Sequence, residues 1–272
     1  MFFLIEVVLK RAVEEYFSNF KVMLSFGVLF VFIALFALFD QFFFSSGSVF
    51  FSLNSNLIGG FIGLIISLIF LYFFSFFISL TVYAVHRDVQ HINFDTYWNT
   101  LFKDAALKIF VFYLSLAIVF YAISSIGFIL GLSFYALLLN LLIGLLVLFV
   151  PQSIVLDEIN ISEAIVRSIE FLKSNFLVSM LVFLLITLAL IIINLIELFL
   201  QLIGFFGIMV SFFLVLVILV PFFEQTKSYA YLMRNDLLKS NEFVHARAPR
   251  TQREKPKYGV RLREQPKKGS KI

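Results

Sequence analysis

Residues 105–150, AALKIFVFYLSLAIVFYAISSIGFILGLSFYALLLNLLIGLLVLFV, form a 46-residue stretch with one charged side chain, Lys108, and with Gly127 and Gly131 near its middle. As a single helix it would be about 69 Å long at about 1.5 Å per residue. That is more than twice a hydrocarbon core of about 30 Å, so it reads as two crossings joined by a tight turn at the glycines. Residues 175–220 repeat the design over 46 residues, with Glu197 as the one charge and a break between Gln201 and Gly207. Both runs are continuously apolar rather than alternating, which argues for helices and against a transmembrane barrel.

The rest of the chain agrees. Of its 272 residues 61% are hydrophobic and 14% charged, against about 45–50% and about 25% in soluble domains. A soluble core of this size cannot hide so much apolar surface. Soluble enzymes, disordered chains and collagen-like chains are therefore excluded. There is no Cys, which removes disulfides, thiolate catalysis and Cys-ligated metals. The apolar start, Met1 to Ile5, is broken by Glu6 and followed, not preceded, by Lys10 and Arg11, so it is not expected to act as a signal peptide.

Extending the span criterion outward predicts an all-α, polytopic fold with six crossings, at about 21–44, 57–84, 105–127, 132–150, 175–199 and 204–222. Lys and Arg fall on one side of it. Lys10, Arg11 and Lys21 lie at the start of span one, Arg87, Lys103 and Lys108 around the loop between spans two and three, Arg167 and Lys173 before span five, and the remainder after the fifth hairpin helix's partner, span six. The positive-inside rule then puts both termini in the cytoplasm of a plasma or inner membrane. Each hairpin has an amphipathic segment before it. Ile5, Leu9, Ala12, Val13, Tyr16, Phe17 and Phe20 share one face, as do Phe94, Tyr97, Trp98, Leu101 and Phe102, and as do Ile161, Ala164, Ile165, Ile169, Leu172 and Phe176. Such helices are predicted to lie in the cytoplasmic interface, or else to pack on the bundle. Asn160 and Glu163 have the spacing of a capping box.

The three units read as a repeat. LKRAVEEYFSNFKV (9–22) aligns with IVRSIEFLKSNFLV (165–178), and VLFVP (147–151) with VILVP (217–221). The membrane domain is predicted over 1–245. Residues 246–272 change character, with Pro, Gly and ten basic residues: Arg247, Arg250, Arg253, Lys255, Lys257, Arg261, Arg263, Lys267, Lys268 and Lys271. This segment is predicted to be a disordered cytoplasmic tail that contacts anionic lipid head groups at about 1 kcal/mol per basic residue. Nonspecific RNA binding and a purely topological role are the alternatives.

The stretch from Pro151 to Phe176, with Asp157-Glu158, Glu163-Ala164, Arg167-Ser168 and Asn175-Phe176, resembles the polytopic membrane domain fused to some glycerophosphoryl diester phosphodiesterases. Ser228 to Leu237 resembles that family's ending. The resemblance covers roughly residues 1–240 and implies a six-helix fold with no established activity. The phosphodiesterase activity belongs to a separate barrel of about 250 residues, for which the chain has no room, so it is not carried over.

Ionisable groups inside spans are the default functional candidates. Asn194, Glu197 and Gln201 have the spacing of an intramembrane polar stripe for an ion, a proton or a head group. Because Glu197 is about 32 Å along its helix from Phe176, the favoured reading is a helix-end residue facing water. Asp40 and Gln41 read the same way at the end of span one, and a single interhelical hydrogen bond would account for Asn140. His86 and His91, beside Asp88 and Asp95, do not share a helical face and are read as a solvated loop. Pro151 and Pro221 are placed at helix ends. No catalytic residue, metal or cofactor is predicted. The function expected is a non-enzymatic membrane module that organises lipid or a partner. The alternative is a transporter or lipid-translocating protein.

Overall fold

A computed structural model describes residues 2–18, 20–36, 42–45, 48–51, 57–90, 104–200 and 204–232. The loop histidine His91, the second amphipathic segment, Asp40, Gln41, Gln201 and the basic tail lie outside the described residues.

The chain opens with α1 (Phe2–Ser18), followed by α2 (Phe20–Ser25), a 3-10 turn (Phe26–Val28) and α3 (Leu29–Phe36). A short antiparallel ribbon follows, β1 (Phe42–Ser45) with β2 (Ser48–Phe51), in the register Phe42 to Phe51 and Ser45 to Ser48. Then come α4 (Leu57–Gln90), α5 (Ala106–Ile129), α6 (Ser133–Leu146), α7 (Val150–Leu156), α8 (Ile161–Ser174), α9 (Phe176–Leu200) and α10 (Phe205–Phe213). A π-helical segment (Leu214–Leu219) leads directly into α11 (Val220–Leu232). The fold is thus predominantly helical, with one ribbon that an all-α reading does not anticipate.

Among the described residues, five helices are long and apolar enough to cross a bilayer: Ile58–His86, Ala106–Ile129, Ser133–Leu156, Phe176–Leu200 and Met209–Leu232. α5 turns into α6 through Gly131, at φ +68°, and α9 is followed by α10 through Gly204, at φ +70°, conformations that glycine adopts without a Cβ penalty. Span one departs from its predicted bounds: the helix is interrupted at the 3-10 turn and strand pairing has begun by Phe42.

The two prolines stand at helix ends as expected, in the first turns of α7 and α11, and each of these helices follows closely on the helical segment before it. α7 continues from Pro151 to Leu156, and α11 from Pro221 to Leu232. A proline cannot donate to the carbonyl four residues back, so each site needs another arrangement. At Pro151 the chain makes a turn over 147–149, and Val150 N–H donates to the Val147 carbonyl instead, at 3.1 Å. At Pro221 the helix widens to π geometry and the Tyr16 hydroxyl donates to the Val217 carbonyl, at 3.1 Å. The repeated VLFVP and VILVP motifs therefore mark two helix irregularities, resolved differently.

The core is rich in phenylalanine. Phe26, Phe36, Phe76, Phe77, Phe112 and Phe212 pack with Leu29, Ile33, Ile109 and Ile154 in one cluster. Val8, Ala12, Val85, Phe149, Phe171 and Tyr231 form a second. Large apolar side chains elsewhere face outward, among them Phe128 (80% exposed) and Phe199 (73%). Contiguous apolar surface of this kind is stable only against lipid or a partner. Three buried hydroxyls of α4 are satisfied within the helix: Ser75 donates to the Leu71 carbonyl, Ser79 to Phe76 and Thr81 to Phe77.

Of the predicted amphipathic helices, α1 and α8 form. α1 packs along α11 through Val8, Ala12 and Tyr16 while Val13 and Phe17 stay exposed. α8 turns Ala164, Ser168, Phe171 and Leu172 inward. Ser168 was not on the predicted apolar face. It points in because its hydroxyl accepts from Phe149 N–H (3.2 Å) and donates to the Leu146 carbonyl (2.8 Å), closing the turn between α6 and α7. Asn160 occupies the N-cap in extended geometry, but no side-chain capping bond forms, so the capping box is absent.

Candidate functional site

The run Met209–Leu232 is the most enclosed of the candidate spans, 56% buried against 11–28% for the others. Its second half is also polar: Glu224, Gln225, Thr226, Lys227 and Ser228 are all buried. A helix buried on every side and carrying charges must satisfy them internally, because each unpaired charge in a low-dielectric interior is costly.

Glu224 and Lys227 are i,i+3 neighbours whose side chains meet at 2.5 Å, and they are only 7% and 8% exposed. The second Glu224 oxygen accepts from Gln152 Nε2 at 2.8 Å. Both carboxylate oxygens are thus engaged, one by α11 itself and one by α7. One helical turn further on, the Tyr231 hydroxyl donates to Asp157 at 2.6 Å and lies 3.0 Å from Ser153 Oγ. Since the tyrosine proton goes to Asp157, its oxygen is free to accept from Ser153. The Tyr231 ring packs against Phe149 (6.3 Å) and Phe171 (5.1 Å), which also touch each other. The polar ladder therefore fastens α7 and α8 to α11 at one end of the bundle. Gln152 Oε1 and both amide atoms of Gln225 are buried with no hydrogen bond.

This cluster was not foreseen as a site. The signal was present: Glu224 and Lys227 stand at i,i+3 just after Pro221, in a segment read as lying beyond the end of span six at residue 222. Opposite charges at that spacing support continued helix.

Glu197 lies elsewhere, on α9. It is 2% exposed, and Ser211 Oγ of α10 donates to it at 2.9 Å. It does not reach water at a helix end. The turn after α9 folds α10 back over it, which a helix-length argument cannot foresee. Asn194 is exposed, whereas Ile193 and Glu197 are buried, so Asn194 and Glu197 do not form one inward stripe. Asn140 makes its interhelical bond, donating to Ser124 Oγ of α5 at 2.9 Å. His86 is buried with its ring 6.4 Å from Tyr83, rather than in a solvated loop. Among the described residues no three His, Asp or Glu side chains are grouped as metal ligands.

The fold and these buried pairs define a helical membrane protein. No protein-family model matches the chain, and no curated protein or solved structure is significantly similar to it.

Proposed function

We propose that the chain is a non-enzymatic, multi-pass module of a plasma or inner membrane, with six crossings and both termini cytoplasmic, that organises lipid or a partner. The observation that carries this reading is the closure of its deep charges. Glu224 is held on both oxygens by Lys227 and Gln152, and Glu197 is held by Ser211, around a core packed with phenylalanine. A carboxylate engaged in this way is a structural fastening rather than a free base or ion ligand. The outward faces, by contrast, offer extensive apolar surface to lipid, and residues 246–272 add a basic segment that suits anionic head groups. The likeness to membrane domains of glycerophosphoryl diester phosphodiesterases points the same way.

A transport role is the second reading. It is favoured by the π-helical segment between Ser211 and Glu224, since such distortions recur at functional sites. Reconstitution into vesicles separates the two. The module reading expects tightly retained lipid and no proton flux or lipid flipping above that of protein-free vesicles. Flux that is lost on Glu224→Gln or Glu197→Gln would replace it with transport.

A further inference from the structure

α9 turns Ser179, Val182, Ile193 and Glu197 into the bundle. A second face, directed away from these, is open. Leu177, Leu184, Ile191 and Leu198 recur on it every seven residues, all exposed. Between them lie Met180 and Thr187, half-buried, and Asn194, exposed. Alternating steps of three and four residues thus continue from Leu177 to Leu198, about 32 Å. A seam with that period is the one along which two helices pack knobs into holes. On a helix so apolar, spacing alone selects no face. Asn194 selects this one.

Phe176–Leu200 has 25 residues, or about 38 Å, about 4 Å longer at each end than a core of about 30 Å. Asn194 stands six residues before Leu200, about 9 Å from that end, so it lies inside the hydrocarbon. Its side chain is too short to reach the head groups in the way that Lys or Arg does. Among the described residues, no group of the chain hydrogen-bonds it. An exposed amide at that depth is costly until it meets a partner. Thr187 makes no such demand, since its hydroxyl donates to the Phe183 carbonyl at 2.9 Å.

Topology sets the partner. Copies of one chain insert in one orientation, so two α9 helices lie parallel and bring their Asn194 residues to one depth. An amide both donates and accepts, so the two can exchange hydrogen bonds across a two-fold axis, each surface being its own complement. A lipid chain offers neither donor nor acceptor. A helix of another protein would need an amide or hydroxyl at the same height, which a second copy supplies without further condition. One polar residue in an otherwise apolar seam also fixes register.

We infer that α9 is a self-association face: two copies of the chain pair in parallel along Leu177, Leu184, Ile191 and Leu198, with Asn194 of each bonded to Asn194 of the other. This rests on the multi-pass membrane reading and names its partner as a second copy of the chain.

The test follows cross-linking and dissociation of the full chain in phosphatidylcholine vesicles. Because the chain has no Cys, Leu184→Cys and Ile191→Cys report on the seam and should form disulfide-linked pairs on oxidation. Ile196→Cys, exposed on another face of the same helix, should not. Asn194→Leu should raise the dissociation constant of the pair about fivefold or more, read by energy transfer over a dilution series, and leave the unfolding midpoint of the monomer unchanged. Asn194→Gln, which keeps the amide, should retain most of the association. Equal cross-linking at position 196, association undiminished by Asn194→Leu, or a chain that stays monomeric at every dilution would overturn the inference. So would position 191 cross-linking to a different protein in native membranes. Alkaline carbonate extraction of the chain from membranes would instead overturn the reading beneath it, whereas a monomer that resists extraction would sink the pairing alone.

Discussion

Removing the Tyr16 hydroxyl should orphan the Val217 carbonyl that Pro221 cannot serve. Tyr16→Phe is therefore expected to cost about 1–3 kcal/mol, seen as a lower unfolding midpoint in detergent. Burial also pushes the Tyr16 phenol above its usual value of 10.0. As pH rises through 10.0 the unfolded chain releases this proton first. The stabilisation is therefore complete below pH 10 and is lost as pH climbs toward the folded-state value. Tyr16→Phe should flatten that alkaline limb in a stability-against-pH series, and an unchanged limb would show that the phenol is not protected. Lys227→Met leaves Glu224 buried beside Gln152 alone, at an expected cost of about 3–5 kcal/mol. Adding Glu224→Gln should restore part of it. The sequence reveals that these residues are charged or phenolic, but not what faces them. Tyr16 meets Val217 across 201 positions, and Glu197 meets Ser211 only because a turn reverses the chain.

At the scale of elements, the α5–α6 contact has a sharp test. A Cβ placed on Gly127 would stand 2.4 Å from the Ala136 Cβ, closer than packed carbons tolerate. Gly127→Ala should destabilise by about 1–3 kcal/mol, and Ala136→Gly should rescue it in the double variant, as a double-mutant cycle would record. The turn at Gly131 was legible because the length of the apolar run demands a break and glycine supplies it. The ribbon was not. FFFS and SVFF continue an apolar run, and their strand propensity carries no period long enough to separate strand from helix. The prolines were placed at helix ends and stand in the first turns of α7 and α11, but the sequence did not show how closely each helix follows the last, across a turn at 147–149 and a π segment at 214–219.

For the whole molecule, charge asymmetry predicts an orientation, while packing order stayed hidden. Because the chain has no Cys, single cysteines can be introduced cleanly. Positions Ser46 and Gly131 should label from outside the cell, and Asn93 and Ser270 only after permeabilisation. Outside labelling at Asn93 would invert the topology. Residues 246–272 should draw the protein to anionic vesicles in a salt-dependent way, and binding to neutral vesicles of equal strength would refute that. Nothing in composition shows that the last membrane helix is the most enclosed. Its hydropathy is the lowest of the five candidates, 2.0, because it carries the polar ladder that the others surround.

That arrangement sets the timetable of biogenesis. At about 5–20 residues per second, the ribosome needs about 10–40 s to travel from Tyr16 to Val217, the two ends of the longest hydrogen bond in sequence described above. During that interval Val8, Ala12 and Tyr16 have no α11 to cover them, and an amphipathic α1 can shelter its apolar face at the bilayer surface. Glu224 and Lys227 face a different problem on arrival, since an isolated charge resists entering lipid. Three residues apart on one helix, they neutralise each other before any neighbour is in place. The late helix can thus enter as a nearly neutral unit and exchange water for Gln152, Ser153 and Tyr16 as assembly closes around it.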